Sequence, residues 1–152
     1  MKLKIMVDSS SGITQEEAIK LGIDVFPLRI IFDDKEYLDG IDIMQDEFYE
    51  KLTKEEIFPK TSLPNLYEIE KKVKAYVQDE YSVIILPLSK EISGTYSALV
   101  SMMEDYENVR VIDTLTTICG LRFLVNEAIQ LKVDTLHEME MKLRDLQRRI
   151  KI

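Results

Sequence analysis

The strongest constraint on this chain is an order that recurs along it: a short apolar run, then a loop rich in Ser, Thr and Gly, then a helical stripe. Lys2 to Val7 turns apolar on both faces and runs straight into Asp8-Ser9-Ser10-Ser11-Gly12. Ser82 to Leu86 reads Ser-Val-Ile-Ile-Leu and exits into Ser89 to Ser93, while Val109 to Ile112 ends at Asp113 and a loop to Gly120. Strands apolar on both faces belong inside a sheet covered on both sides, which is the parallel kind. Helical spacing fills the intervals, with Met44, Phe48 and Leu52 on one stripe and Leu66, Ile69, Val73 and Val77 on another. Further helices are expected over residues 15–21, 95–103 and 119–131. The expected fold class is therefore α/β: one domain over residues 1–152, a mostly parallel sheet with right-handed crossovers, and helices on both faces.

Local signals refine this outline. Thr14 precedes Glu17, and Thr135 precedes Glu138, in capping-box patterns, and Gly22 is placed to end the first helix. The last helix carries Leu136, Met139, Leu143, Leu146 and Ile150 on one stripe, and the basic segment 142–152 suits the negative end of its dipole. Ile23 to Phe32 reads as one strand with Pro27 inside it, hence an edge strand or a bulge, followed by turns at Asp33-Asp34-Lys35 and Asp39-Gly40. Pro59 and Pro64 bracket Lys60-Thr61-Ser62-Leu63, which predicts an extended loop with two adjacent hydroxyls.

Composition removes several functions. A chain of 152 residues can bury its own core without a disulfide or metal staple. A net charge of −8 argues against nucleic acid and anionic membranes, both of which need a positive field. One cysteine and one histidine leave no disulfide framework and no zinc set, and a reducing cytoplasm is the expected compartment. No apolar run approaches the roughly 20 residues of a spanning helix. Five glycines include neither a P-loop nor a Gly-x-Gly-x-x-Gly turn, so no nucleotide cofactor is expected.

In α/β sheets ligands collect beyond the carboxyl ends of the strands. That rule selects the loops at residues 8–12, 89–95 and 113–120. Ser93-Gly94-Thr95 opens a helix, where backbone N–H groups and hydroxyls favour an anion; the alternative is that Ser93 or Thr95 only caps its own helix. Thr61 and Ser62 form either a second donor pair or an ordinary Ser/Thr turn. Neutral donors without a fixed cation suit a carboxylate better than a polyphosphate. Asp8 and Asp113 could ligate a metal or serve a small-substrate phosphoryl transferase or hydrolase; otherwise they cap the loops they begin. His137 is expected in solvent and Cys119 buried in its apolar surroundings. A third reading is an interaction fragment that self-associates through an uncovered apolar face.

Several elements in order resemble the DegV family: Asp8-Ser9-Ser10-Ser11, Pro27-Leu28, Tyr37-Leu38-Asp39-Gly40, Phe48-Tyr49, Pro59-Lys60-Thr61-Ser62, Ser93-Gly94-Thr95-Tyr96 and Val111-Ile112-Asp113. The resemblance spans residues 1–131. It implies the fatty-acid-binding, non-catalytic subunit of a bacterial fatty acid kinase. By that resemblance Thr61 and Ser93 bind the carboxylate of a long-chain fatty acid, supported by Ser62, Gly94, Thr95, Asp8, Ser9, Ser10 and Asp113. The protein would then present that carboxylate to a separate ATP-binding kinase subunit. The family's Thr-Ser-Gln-Pro is here Thr61-Ser62-Leu63-Pro64, and the loop after Asp113 carries Ile118, Gly120 and Arg122 where the family commonly has a serine and two glycines. Family members have a second α/β domain that supplies an arginine and a histidine at the ligand head, so the expectation here is the first domain alone.

Overall fold

A computed structural model describes residues 1–54 and 58–150. Seven strands and six helices are present among them: β1 Leu3–Asp8, α1 Gln15–Leu21, β2 Asp24–Phe26, β3 Arg29–Phe32, β4 Lys35–Leu38, α2 Gln45–Lys54, β5 Lys60–Ser62, α3 Leu66–Gln78, β6 Ser82–Leu86, α4 Thr95–Met103, β7 Val109–Val111, α5 Ile118–Gln130 and α6 Leu136–Gln147. The main sheet is wholly parallel in the order β2-β1-β6-β7. Its strands alternate between two cores. Ile5, Val7, Ile84 and Leu86 face α1, α5 and α6, whereas Met6, Val83 and Ile85 face α3 and α4. Helices therefore cover both faces, which is why β6 is apolar at every position from Val83 to Leu86.

The local signals become local structures. Thr14 and Glu17 form a reciprocal capping box on α1, and Gly22 ends that helix at φ 70°. Thr135 Oγ1 accepts from Glu138 N–H at the start of α6. Leu136, Met139 and Leu143 of α6 are buried against α5 and the sheet. Each such side chain stabilises the fold by about 1.5–3 kcal/mol relative to leaving it exposed. α6 ends at Gln147, so the basic residues expected in its last turn lie partly beyond it, and Lys151 falls outside the described residues. Ile150 follows the helix, and its Cγ2 still reaches α5 beside Gly120.

Two expectations are corrected. Ile23 to Phe32 is two strands in two different sheets. Pro27 has no N–H to continue the ladder, and the Leu28 amide bonds instead to Ser9 Oγ at 3.1 Å. The chain thus leaves the parallel sheet after β2, which is indeed an edge, and begins an antiparallel sheet ordered β4-β3-β5. The second correction concerns the proline-bracketed segment. It contains β5, an edge strand paired antiparallel to β3 with Thr61 opposite Ile30. The prolines stand outside the three residues that need ladder bonds. Ile30, Phe32 and Ile43, with Tyr37 and Phe48 against them, form a small separate core beneath this second sheet.

Candidate functional site at the carboxyl ends of the parallel strands

The strand order reverses between β1 and β6, so α1 and α4 leave to opposite faces and a crevice opens between the loops they follow. Asp8 holds the two sides together. Its carboxylate accepts from Ser10 N–H at 2.9 Å and from Leu88 N–H at 2.5 Å, and the residue is fully buried. Burial pushes the Asp8 carboxyl above its ordinary range against the pull of those bonds, and nearby Asp39 adds in the same direction.

The third loop is tied in the same manner. Asp113 Oδ1 accepts from Lys90 N–H and Leu115 N–H at 3.1 and 3.2 Å, and Oδ2 accepts no hydrogen bond but faces the Lys90 ammonium at 3.7 Å. Thr114 Oγ1 donates to Pro87 O, and Ser89 N–H donates to Thr116 O. Thr117 Oγ1 and Ser10 Oγ lie 3.2 Å apart, closing the ring from the β1 loop to the β7 loop. Both aspartates thus cap and link loops, the structural alternative left open above. Their oxygens are taken up by backbone amides, apart from Asp113 Oδ2. Among the described residues no three His, Cys, Asp or Glu side chains cluster as metal ligands.

The hydroxyl loops meet at Leu63. Its Cδ2 stands 3.7 Å from where a side chain on Gly94 would begin, so the segment carrying Thr61 and Ser62 lies against the Ser93-Gly94-Thr95 turn. Ser93 Oγ accepts from Thr95 N–H at 3.1 Å and sits 2.9 Å from Thr95 Oγ1. The local-turn alternative for Ser93 therefore holds as far as that bond goes. Gly94 is the N-cap of α4 and has no side chain to cap it, so the bond from Thr95 N–H to Ser93 Oγ serves the first helical amide. Thr61, Ser62 and Gly94 are exposed, Ser93 is half-buried and Thr95 is buried.

Gly120 explains how the third loop folds so tightly. A Cβ there would stand 2.1 Å from Thr116 Oγ1, so the first turn of α5 can close on the loop only with glycine. Just before it, Leu115 and Ile118 adopt φ 54° and 49°, and the latter is an outlier for a β-branched side chain. His137 is in solvent as expected. Cys119 is exposed, not buried, because this strained entry turns its side chain away from the core that Leu121 and Leu124 join.

A groove of about 820 Å³ lies elsewhere, between α3 and the passage from β2 to β4. Its floor includes Met6, Phe26 and Ile69, and its rim holds Arg29, Glu36, Asp24 and Lys72. None of the predicted site residues lines it. Sequence reasoning missed it because its walls come from both sheets, and no local pattern marks residues that meet only through folding.

Three comparisons bear on these loops. The family model described as "Uncharacterised protein, DegV family" matches residues 2–152. A DegV domain-containing protein of Clostridium perfringens is 32% identical across 99% of this chain and 55% of its own length. A stearic-acid-binding protein of Eubacterium ventriosum superposes with TM-score 0.83 at 27% identity, covering 95% of this chain and 52% of that one. A DegV lipid-binding protein of Thermotoga maritima gives TM-score 0.83 at 28% identity, with 98% and 55% covered. The chain spans about half the length of the curated relatives it matches.

Proposed function

Because this chain belongs to the DegV family, we propose that it binds a long-chain fatty acid, with the Thr61 and Ser93 hydroxyls donating to the carboxylate. One observation supports the reading: Leu63 Cδ2 lies 3.7 Å from where a side chain on Gly94 would begin, which sets the Thr61-Ser62 segment against the Ser93-Gly94-Thr95 turn. Ser62, the backbone at Gly94 and Thr95 supply further donors around it. Asp8, Ser9, Ser10 and Asp113 hold the loops. A neutral site suits this chain, since its net charge of −8 disfavours anions at long range and leaves short hydrogen bonds to hold the head group. The fatty-acid-binding and lipid-binding proteins that superpose on nearly the whole chain support the ligand class.

On this reading the protein is a non-catalytic carrier in the bacterial cytoplasm. It presents the carboxylate to a separate ATP-dependent kinase subunit, and the acyl phosphate forms on that partner. No described helix is long and apolar enough to cross a membrane. Solvent extraction of the purified protein followed by mass spectrometry is expected to release fatty acid, and palmitate or oleate is expected to raise the melting temperature. No extracted lipid together with no thermal shift overturns the reading.

A further inference from the structure

The loops at the carboxyl ends of β1, β6 and β7, over residues 8–12, 89–95 and 113–120, hold the acids Asp8, Glu91 and Asp113 but a single base, Lys90. That base stands beside the least satisfied of the acids. Asp113 is 6% exposed, and its Oδ2 is buried without a hydrogen bond. The Lys90 ammonium faces this oxygen at 3.7 Å, inside ion-pair range but longer than a hydrogen bond, while the lysine side chain stays half exposed. Charge alone tethers the ammonium to Asp113, and its three N–H donors are left for another acceptor.

The backbone carries Lys90 to the hydroxyl donors. Lys90 N–H donates to Asp113 Oδ1 at 3.1 Å, and Ile92 N–H and Ser93 N–H both donate to Ser89 O at 3.1 Å, so residues 89–93 form one turn. Residues three apart on such a turn share a side of it, which sets the flexible four-carbon stem of Lys90 beside Ser93. Lys60 is not equivalent, because it precedes Thr61 on β5 and neighbours along a strand point to opposite faces.

We propose that Lys90 is the charge-selecting residue of the head-group site: its ammonium bridges the buried Asp113 carboxylate and the ligand carboxylate, so that charged heads are preferred over neutral heads of the same length. The inference rests on the carboxylate reading of Thr61 and Ser93. It adds a discrimination that those hydroxyls lack, since a hydroxyl donates to an alcohol or an amide as well as to a carboxylate. A buried carboxylate at the strand ends repels an arriving one. An ammonium held between the two replaces that repulsion with attraction on both sides.

Isothermal titration calorimetry of the 152-residue chain with laurate and with dodecanol tests this. The unaltered chain is expected to prefer laurate, and the preference to shrink as sodium chloride is raised. Lys90→Gln should weaken laurate roughly two- to fivefold, the size expected of a half-exposed ion pair, and leave dodecanol unchanged. Lys90→Arg retains the charge and should keep most of the preference, and Lys60→Gln should keep all of it. Lys90→Gln also leaves Asp113 without its cation, so a Lys90→Gln, Asp113→Asn double variant separates folding from binding. Its melting temperature should return toward that of the unaltered chain while its preference for laurate stays below it. Equal losses for both ligands in Lys90→Gln, no loss for either, or a loss in Lys90→Arg as large as in Lys90→Gln overturns the role of Lys90. If the unaltered chain binds neither ligand, the carboxylate reading falls as well; if it binds both equally, only the charge selection falls.

Discussion

Asp8 at the end of β1 accepts a 2.5 Å hydrogen bond from the backbone of Leu88, a residue 80 positions away in the loop that leaves β6. That bond and its partner from Ser10 N–H fix the crevice between the two central strands. Asp8→Ala leaves two part-buried amides without their acceptor, at up to about 1–3 kcal/mol for each one left unpaired. Asp8→Asn keeps one acceptor and is expected to lose less. Urea denaturation of the two variants checks the order.

The same carboxyl gives a pH signature. Its folded pKa lies above the ordinary 3.8, so the unfolded chain gives up the proton more readily than the folded one. Its stabilising contribution is full below that ordinary value and is lost as pH rises through the raised one. Glu17 and Glu138 oppose it, since Arg122 and Lys142 respectively lower their pKa values, and their contributions are lost as pH falls through those depressed values. As pH rises above about 4 and through the raised value, the stability gap between the unaltered chain and Asp8→Asn should therefore narrow. A gap that widens, measured by denaturant midpoint at each pH, contradicts the assignment to Asp8.

Gly120→Ala should destabilise, although alanine is the better helix former by about 1 kcal/mol. The added Cβ would meet Thr116 Oγ1 at 2.1 Å and Thr116 Cβ at 3.1 Å. Overpacking of this kind costs about 1–3 kcal/mol. Adding Thr116→Ala removes the nearer clash but keeps the second, so partial recovery of the melting temperature is expected.

Leu143→Ala tests the docking of α6. The side chain is 1% exposed within the core that also holds Leu121, Val125 and Met139. A loss of about 2–5 kcal/mol is expected by chemical denaturation. A loss below about 1 kcal/mol would mean that the last helix is not part of the cooperative fold.

Thr61→Ala combined with Ser93→Ala should weaken palmitate binding at least roughly tenfold, because hydrogen bonds to a charged acceptor contribute about 1.5–3 kcal/mol. Thr61 is exposed on an edge strand and Ser93 Oγ bonds only within its own turn, so the ligand-free melting temperature should change little. Competition calorimetry reads the affinity. An unchanged value removes both hydroxyls from the site.

Much of the fold was legible in the chain because its signals are local. The Thr14–Glu17 capping box, the αL glycine at Gly22 and the α6 stripe each depend on residues within a few turns of one another. Ser-Val-Ile-Ile-Leu announces a strand covered on both faces without any knowledge of what covers it. The break at Pro27 was visible but its outcome was not. A missing N–H says that a ladder stops, not that the next strand joins another sheet. Cys119 misled for a related reason: apolar neighbours in sequence suggest burial, whereas the positive φ at Ile118 decides which way the chain faces.

The sequence by itself determined the parallel strands β1, β6 and β7, the helices and their buried stripes, and that hydroxyl-rich loops would follow those strands, because periodicity and capping are properties of neighbouring residues. Tertiary structure alone decided that β5 would pair with β3, that Asp8 would reach Leu88, and that Leu63 would stand against Gly94. Those contacts join residues from 29 to 80 positions apart. Their loop-closure entropy is offset only by the cooperative packing of the two sheets and their helices, and no short window of sequence contains that balance.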